Sequence, residues 1–394
     1  MNTFYTIGIY FYVLSIRFAS LFNAKAKQWL NGRKNNLYRI QEQLKGENDI
    51  VWFHCASLGE FEQGRPIIEG YKKKYPEHKI LLTFFSPSGY EIRKNYEGAD
   101  WVFYLPADTP ANAKEFIKTV RPLKVIFIKY EFWFNYIQEI KAQCIPLYIV
   151  SAIFRKEQVF FKYRWFAAQL QHITHFFVQN EESKQLLESI NITDVSVSGD
   201  SRFDTVKANA ESSKEFSLIA TFSNTQKTIV IGSSWPKDEA ILIAYIKENP
   251  QYNYIIAPHE LGYCKSLSIN TKGLLYSQAT TENINSSNVL IVDSIGILSS
   301  IYNYGCIAYI GGGFGAGIHN ILEAVTFGLP VVFGPNYSKF AEANDLIALN
   351  AAIAINDYLS LNDAIASFES FNSTIAINYI NKKSGCTQQV IEQL

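Results

Sequence analysis

The chain has 394 residues, more than one hydrophobic core usually serves, so two domains of roughly 150 to 200 residues are expected. With 48% hydrophobic, 15% aromatic and 18% charged residues there is material for two cores, and these proportions exclude a disordered chain. The 36 basic and 36 acidic side chains cancel, which removes the global electrostatic argument for a nucleic-acid partner. Five scattered cysteines (Cys55, Cys144, Cys264, Cys306, Cys386), with no CxxC pair, exclude a disulfide framework and a zinc site and fit a reducing cytoplasm.

The first segment departs from ordinary globular composition. Thr3–Ile16 (TFYTIGIYFYVLSI) is uncharged, and Arg17, Lys25, Lys27, Arg33, Lys34 and Arg39 then precede the first acidic residue, Glu42. Charges that follow the apolar run are in the wrong order for a signal peptide. The run is short of the ~20 residues of a membrane span. Phe18, Ala19, Leu21 and Phe22 extend it if Arg17 snorkels. Residues 1–30 are therefore expected to form a hydrophobic membrane anchor, inserted or interfacial, with its basic flank toward anionic headgroups. The alternative is an aromatic helix packed on the protein's own surface.

From Asp49 onward, short apolar β-rich runs alternate with helix-like stretches, the pattern of βαβ units and a parallel sheet. Strands are expected at 49–54, 79–84, 101–105, 124–128, 146–150 and 175–178, with helices at 61–75, 87–96, 109–119, 134–142, 157–171 and 181–189. The polar stretch 205–226 marks a junction between a domain at 31–205 and one at 206–394, whose final helix can pack back on the first. The second series places strands at 228–234, 252–258, 289–293, 306–312 and 330–334. The fold class is α/β: two doubly wound, Rossmann-like domains expected to face each other across a cleft, with ligands at the carboxyl ends of both sheets.

Chemistry-bearing residues follow the strands. After the first, HCASLGEFEQGRP turns at Gly59 into a helix whose first turn carries Glu60 and Glu62. Glu60 can take the proton of an attacking hydroxyl; an acid there also complements the helix dipole with no catalytic role. After the second strand, FFSPSGYE offers Ser86, Ser88 and Gly89 at a helix start, which is equally a capping motif. The fourth ends in KYEFWFN, with Glu131 beside Trp133, either aligning a sugar or starting a helix next to a core tryptophan.

The segment CIAYIGGGFGAGIHNILEAVTFGLPVVFGP (306–335) is the most informative. Gly311, Gly312, Gly313, Gly315 and Gly317 allow the backbone to approach an anion, and the helix that follows is expected to aim its amino terminus at the loop. No Gly-Lys-Ser/Thr follows, and the loop does not sit after the chain's first strand, so neither a P-loop nor a dinucleotide fingerprint fits. Asn320 and Glu323 have capping-box spacing, and Glu323 can alternatively bind ribose hydroxyls. His319 falls beside the phosphate together with His259 of APHE, and Ser233 and Ser234 complete the expected donor set. There is no Asp-x-Asp and no ligand spacing among the six histidines, so no metal and no cofactor are expected. A nucleoside monophosphate leaving group can be stabilised by backbone amides alone.

Read in order, Gly32-Arg33, HCASLGE (54–60), SPSG (86–89), YEFWFN (130–135), QNEES (179–183), GDSRFD (199–204), GSSWPKDE (232–239), GGGFGAGIHNILEA (311–324) and GLPVVFGP (328–335) form a specific series. Over nearly the whole chain it resembles the 3-deoxy-D-manno-octulosonic acid (Kdo) transferases of lipopolysaccharide synthesis, glycosyltransferase family 30. The resemblance implies a GT-B architecture, a CMP-Kdo donor bound chiefly by the carboxyl-terminal domain, and a lipid A precursor of the lipid IVA type bound by the amino-terminal domain. It makes Glu60 the catalytic base and Glu131 the second family glutamate, with Ser57, Ser86, Ser88 and Gly89 on the acceptor side. It also implies the cytoplasmic face of the cell inner membrane, membrane lipid as a partner, and no nucleic acid. The sequence departs from the family pattern at Lys129, often glutamate, at Phe134, often proline, and before His259, where an arginine is common. RKEQVFFKYRW (155–165) is a further candidate for acceptor phosphates, or a solvated helix face. Two rivals stay open: a GT-B enzyme using a uridine diphosphate sugar, and a catalytically idle lipid A-recognition protein.

Overall fold

A computed structural model describes residues 2–394. The chain divides into two compact units, one running to Thr205 and joined by Ser384–Leu394, the other Val206–Lys383. Each is built on one seven-stranded sheet in which every pair is parallel.

The first sheet contains β1 (Ile50–Cys55), β2 (Lys79–Phe84), β3 (Trp101–Tyr104), β4 (Lys124–Ile128), β5 (Leu147–Ala152), β6 (His175–Val178) and β7 (Val195–Val197). Their order is β3-β2-β1-β4-β5-β6-β7. A parallel sheet is covered on both faces, so its strands read as unbroken apolar runs. In β1, Ile50 and Trp52 enter one core and Val51, Phe53 and Cys55 the other. The winding reverses between β1 and β4, which leaves a crevice at their carboxyl ends where a ligand can enter.

The second sheet contains β8 (Thr228–Ser234), β9 (Asn253–Pro258), β10 (Leu274–Leu275), β11 (Val289–Ile291), β12 (Ile307–Ile310), β13 (Val331–Phe333) and β14 (Ala352–Ala354). The order β10-β11-β9-β8-β12-β13-β14 puts the same reversal between β8 and β12.

Three helices precede β1: α1 (Asn2–Ala19), α2 (Ala24–Arg33) and α3 (Asn36–Gln43). α1 buries no residue. Tyr5, Thr6, Ile9, Val13, Ile16 and Ala19 alone in this helix reach intermediate burial, while Phe4, Phe11 and Phe18 stand 77%, 66% and 68% exposed. Tyr5 fixes the helix by donating its hydroxyl to Asp108 at 2.5 Å. Among the described residues no helix is long and apolar enough to cross a membrane.

Three expectations are corrected. Arg33 does not belong to an outward basic flank. Its guanidinium lies 3.8 Å from the Trp29 ring and donates to the carbonyls of Leu105 (2.9 Å) and Phe85 (2.8 Å), because a planar, weakly hydrated cation is stabilised on aromatic faces. Burial pulls it down to about 9, which leaves it charged at neutral pH. The helix expected at 157–171 is two, Val159–Lys162 and Arg164–Leu170, and the break at Tyr163 brings Phe160 and Phe166 into ring contact at 6.3 Å. The helix after the glycine loop is a single turn, Leu322–Val325; glycine-rich 311–321 stays irregular, since glycine loses the most entropy in a helix.

The last helix, Cys386–Gln393, belongs to the first unit. Asp204 accepts the backbone N–H groups of Gly385 and Thr387, both at 2.6 Å, and so caps its start.

Candidate functional site

At the carboxyl end of the first sheet, β1 leads through Ser57 into α4 (Leu58–Lys74), and β2 through Ser86 into α5 (Pro87–Arg93). Glu60 is the third residue of α4. Its Oε2 accepts both the backbone N–H and the hydroxyl of Ser57, each at 2.7 Å. The carboxylate is thus held in the reach-back half of a capping box. Its Oε1 takes no hydrogen bond from any described residue and is left to accept a proton. Ser57 spends its hydroxyl on orienting Glu60.

Ser86 caps α5 by accepting the Ser88 N–H at 3.2 Å, and the two hydroxyls meet at 2.9 Å. Gly89 has a packing reason: a Cβ there would lie 2.3 Å from the Phe84 ring and 3.1 Å from the Ser57 backbone.

Glu131 follows β4 and is buried, 6% exposed. Its Oε2 accepts the Trp133 indole N–H at 2.6 Å and meets His54 Nε2 at 3.1 Å. His54 lies fully buried inside β1, with Nδ1 2.8 Å from the Thr83 hydroxyl, which itself accepts the Trp52 indole at 2.7 Å. Nδ1 also lies 3.1 Å from the Thr83 carbonyl, and the Trp133 indole reaches Nε2 at 3.2 Å, so both ring nitrogens are engaged. Sequence reasoning gave His54 no role; the available signal was one polar residue inside the apolar run IVWFHC. Lys129, at the end of β4, adopts a left-handed φ of 66°, so the turn presenting Glu131 is strained.

In the second unit β8 shifts register between Gly232 and Ser234, and Ser233 takes a left-handed φ of 51°. The bulge drives the Ser233 carbonyl toward the glycine loop, where a Cβ on Gly311 would meet it at 2.1 Å. Gly311 therefore has no substitute. Gly312 has φ 94°, and a Cβ there would lie 2.5 Å from the Gly317 carbonyl oxygen. The loop closes on itself: the N–H groups of Gly315 and Gly317 donate to the Gly312 carbonyl, and that of His319 to Gly311. Gly313 packs against the backbone of Gly334.

A cavity of about 530 Å³ opens beside this loop, lined by Trp235, Asp238, Tyr263, Gly312, Gly317 and His319 among others, Lys237 included. The helix that begins at it is Pro236–Glu248, not the one after the loop. Trp235 stacks on His259 (centroids 4.4 Å apart), His259 stacks on His319 (4.5 Å), and the Trp235 indole donates to His319 Nε2 at 2.9 Å. Burial, and then the His259 ring, hold the His319 imidazole below its usual value.

Asp238, fully buried, ties these parts together. It accepts the N–H groups of Trp235 (2.9 Å) and Gly312 (3.0 Å) on Oδ2 and the Tyr309 hydroxyl (2.8 Å) on Oδ1. Neither it nor Trp235 stood among the expected site residues, and no local pattern signals contacts across some 70 to 84 residues. Ser233 is half-buried beside the loop, whereas Ser234 is fully buried and donates its hydroxyl to Glu239 at 3.0 Å, so it supports the site from behind. Asn320 and Glu323 do not line this cavity; they bond each other at 3.1 Å, and Asn320 accepts the Leu322 N–H at 3.2 Å. Among the described residues no group of three His, Cys, Asp or Glu is placed to hold a metal ion.

Comparison with known proteins bears on the fold and on sequence relatives. Solved structures sharing the architecture include UDP-GlcNAc 2-epimerase from Neisseria meningitidis (TM-score 0.61, 15% identity, covering 87% of this chain and 98% of that one). MurG from Acinetobacter baumannii is another (TM-score 0.55, 12% identity, covering 88% and 99%). At such identities the likeness concerns the fold: two parallel-sheet α/β units resembling GT-B glycosyltransferases. In sequence, the 3-deoxy-D-manno-octulosonic acid transferase of Rickettsia felis is 29% identical over 318 residues, 78% of this chain and 68% of its own. That of Aquifex aeolicus is 27% identical over 79% of this chain and 83% of its own. Residues 31–205 match the family model for 3-deoxy-D-manno-octulosonic-acid transferase (kdotransferase), a span that includes both Glu60 and Glu131. In sequence the chain thus resembles the Kdo transferases over most of its length.

Proposed function

We propose that the protein transfers Kdo from CMP-Kdo to a lipid A precursor in lipopolysaccharide biosynthesis, with inversion and without a metal ion. The observation that carries this reading is the family match over 31–205, within which Glu60 keeps one carboxylate oxygen unengaged. In the reaction Glu60 takes the proton of the acceptor hydroxyl, whose oxygen bonds to C2 of Kdo. The C2–O bond to CMP breaks, its electron pair going to the phosphate, which the His319 ring and those glycine-loop N–H groups not already bonded within the unit stabilise. Ser86 and Ser88 belong to the acceptor side, His259 and Ser233 to the donor side. Glu131, pinned by His54 and Trp133, aligns the reacting groups.

α1 fits an interfacial helix at the cytoplasmic face of the inner membrane. Its exposed aromatic and aliphatic residues suit the acyl boundary, and Arg17, Lys25 and Lys27 suit anionic headgroups.

The test is mass spectrometry of products after incubation with CMP-Kdo and a tetraacylated lipid A precursor, with and without a chelator. The reading requires a Kdo mass increment, with chelation changing the rate less than about twofold if no metal takes part. Turnover of a uridine diphosphate sugar instead, or lipid binding with no increment, contradicts it.

A further inference from the structure

Nothing above explains why a tryptophan follows the Ser233–Ser234 bulge. An indole N–H is only a donor, so the nitrogen it addresses must offer a lone pair. Trp235 Nε1 lies 2.9 Å from His319 Nε2, which settles three properties of that histidine. Its Nε2 is unprotonated. Its ring, while this bond lasts, is neutral. Its single proton sits on Nδ1, which is then the one N–H that the ring can give to a ligand in the cavity it lines.

We propose that Trp235 is a positioning residue that holds His319 as the neutral Nδ1–H tautomer, so that the site meets its anion with an oriented hydrogen bond instead of a cation. The ligand half of this statement rests on the reading of the cavity as the CMP-Kdo site. The surroundings agree. The His259 ring, stacked 4.5 Å from His319, opposes a positive charge on it. Asp238 favours one, but three donors already engage it. Lys237 and Tyr263 are the remaining titratable groups of the lining. Protonating His319 turns an N–H toward the indole N–H and costs the bond. A neutral donor also suits catalysis, because it does not over-stabilise the bound donor phosphate before charge develops on it.

The test is nitrogen-15 NMR of the histidine rings in the full-length protein at pH 7.5, with the His319 signals identified by their loss in His319→Gln. The expected spectrum has a protonated Nδ1 and a lone-pair Nε2 for His319. In Trp235→Phe, which keeps an aromatic face on His259 but has no N–H, the tautomers should mix. The His319 titration midpoint should also rise by about one unit, the worth of one neutral hydrogen bond. A protonated Nε2 in the unaltered protein overturns the proposal, and so does a Phe variant with unchanged tautomer and midpoint. Calorimetry with CMP separates the two readings. CMP binding that shifts the Nδ1 signal supports both, whereas no CMP binding beside an Nδ1–H His319 upholds the role of Trp235 and removes the donor-site reading.

Discussion

The two units end their sheets with opposite chemistry. At the winding reversal of the first, the side chains that matter are acids held on one oxygen: Glu60 by Ser57, and Glu131 by His54 and Trp133. At the reversal of the second, the acids are turned inward and used up, Asp238 on three donors and Glu239 on Ser234, while glycine backbone and stacked rings line the cavity. We read the first as suited to accept a proton and the second as suited to hold an anion, its lining carboxylate Asp238 being engaged by three donors. On the proposed function, one topology applied twice serves as a base site and as a phosphate site according to whether carboxylates point out of the turn or into it.

The sharpest way to break this contrast is at Gly312. Gly312→Ala puts a Cβ 2.5 Å from the Gly317 carbonyl on a backbone of φ 94°, so the loop must open. CMP affinity should fall more than about tenfold, with strain of roughly 1–3 kcal/mol visible in chemical denaturation. An alanine variant that binds CMP normally would show that the loop is not the anion site.

On the acid side, Asp108 gives a pH signature. Burial raises it from 3.8 to about 6, partly offset by the bonds from Tyr5, Asn135 and Tyr136. A carboxyl with a raised folded-state value stabilises the fold fully below pH ~4, and that contribution is lost as pH rises through about 6. It amounts to about 3 kcal/mol, at ~1.4 kcal/mol per unit. Urea titrations at about pH 4 and 7.5 should show most of this loss in the unaltered protein and much less of it in Asp108→Asn; equal losses would refute the assignment.

The smallest effect is expected at Trp133. Trp133→Phe removes the shorter of the two bonds to the buried Glu131 oxygen and should cost about 1–3 kcal/mol of stability. Activity should fall with donor KM unchanged, since the residue serves the acid side. A rise in donor KM alone would place Glu131 with the phosphate chemistry instead.

Much of the framework could be read from sequence because doubly covered strands are unbroken apolar runs. KVIFI, HFFV and TIVIGSS become β4, β6 and β8 with the expected limits. The strands that escaped notice, β7, β10 and β14, have two or three residues each, too few for a pattern to stand out. Candidate residues that follow directly on strands, such as Glu60, Ser86 and Glu131, were visible for the same reason. Trp235, Asp238 and His54 were not, since each acts on a partner some 74 to 84 residues away that only strand order makes a neighbour. The glycine loop misled in one respect: glycines that suit anion approach also leave only a single turn of the helix expected to point at the loop.

The central claim is that the first unit supplies the base and the second the donor site, so that the two functions can be lost separately. The direct measurement pairs calorimetric CMP-Kdo binding with product mass spectrometry for Glu60→Gln. The account predicts donor affinity within about twofold of the unaltered protein and transfer reduced by ~10²- to 10⁴-fold, the usual contribution of a general base. Transfer that survives the substitution, or donor binding that disappears with it, would contradict the account.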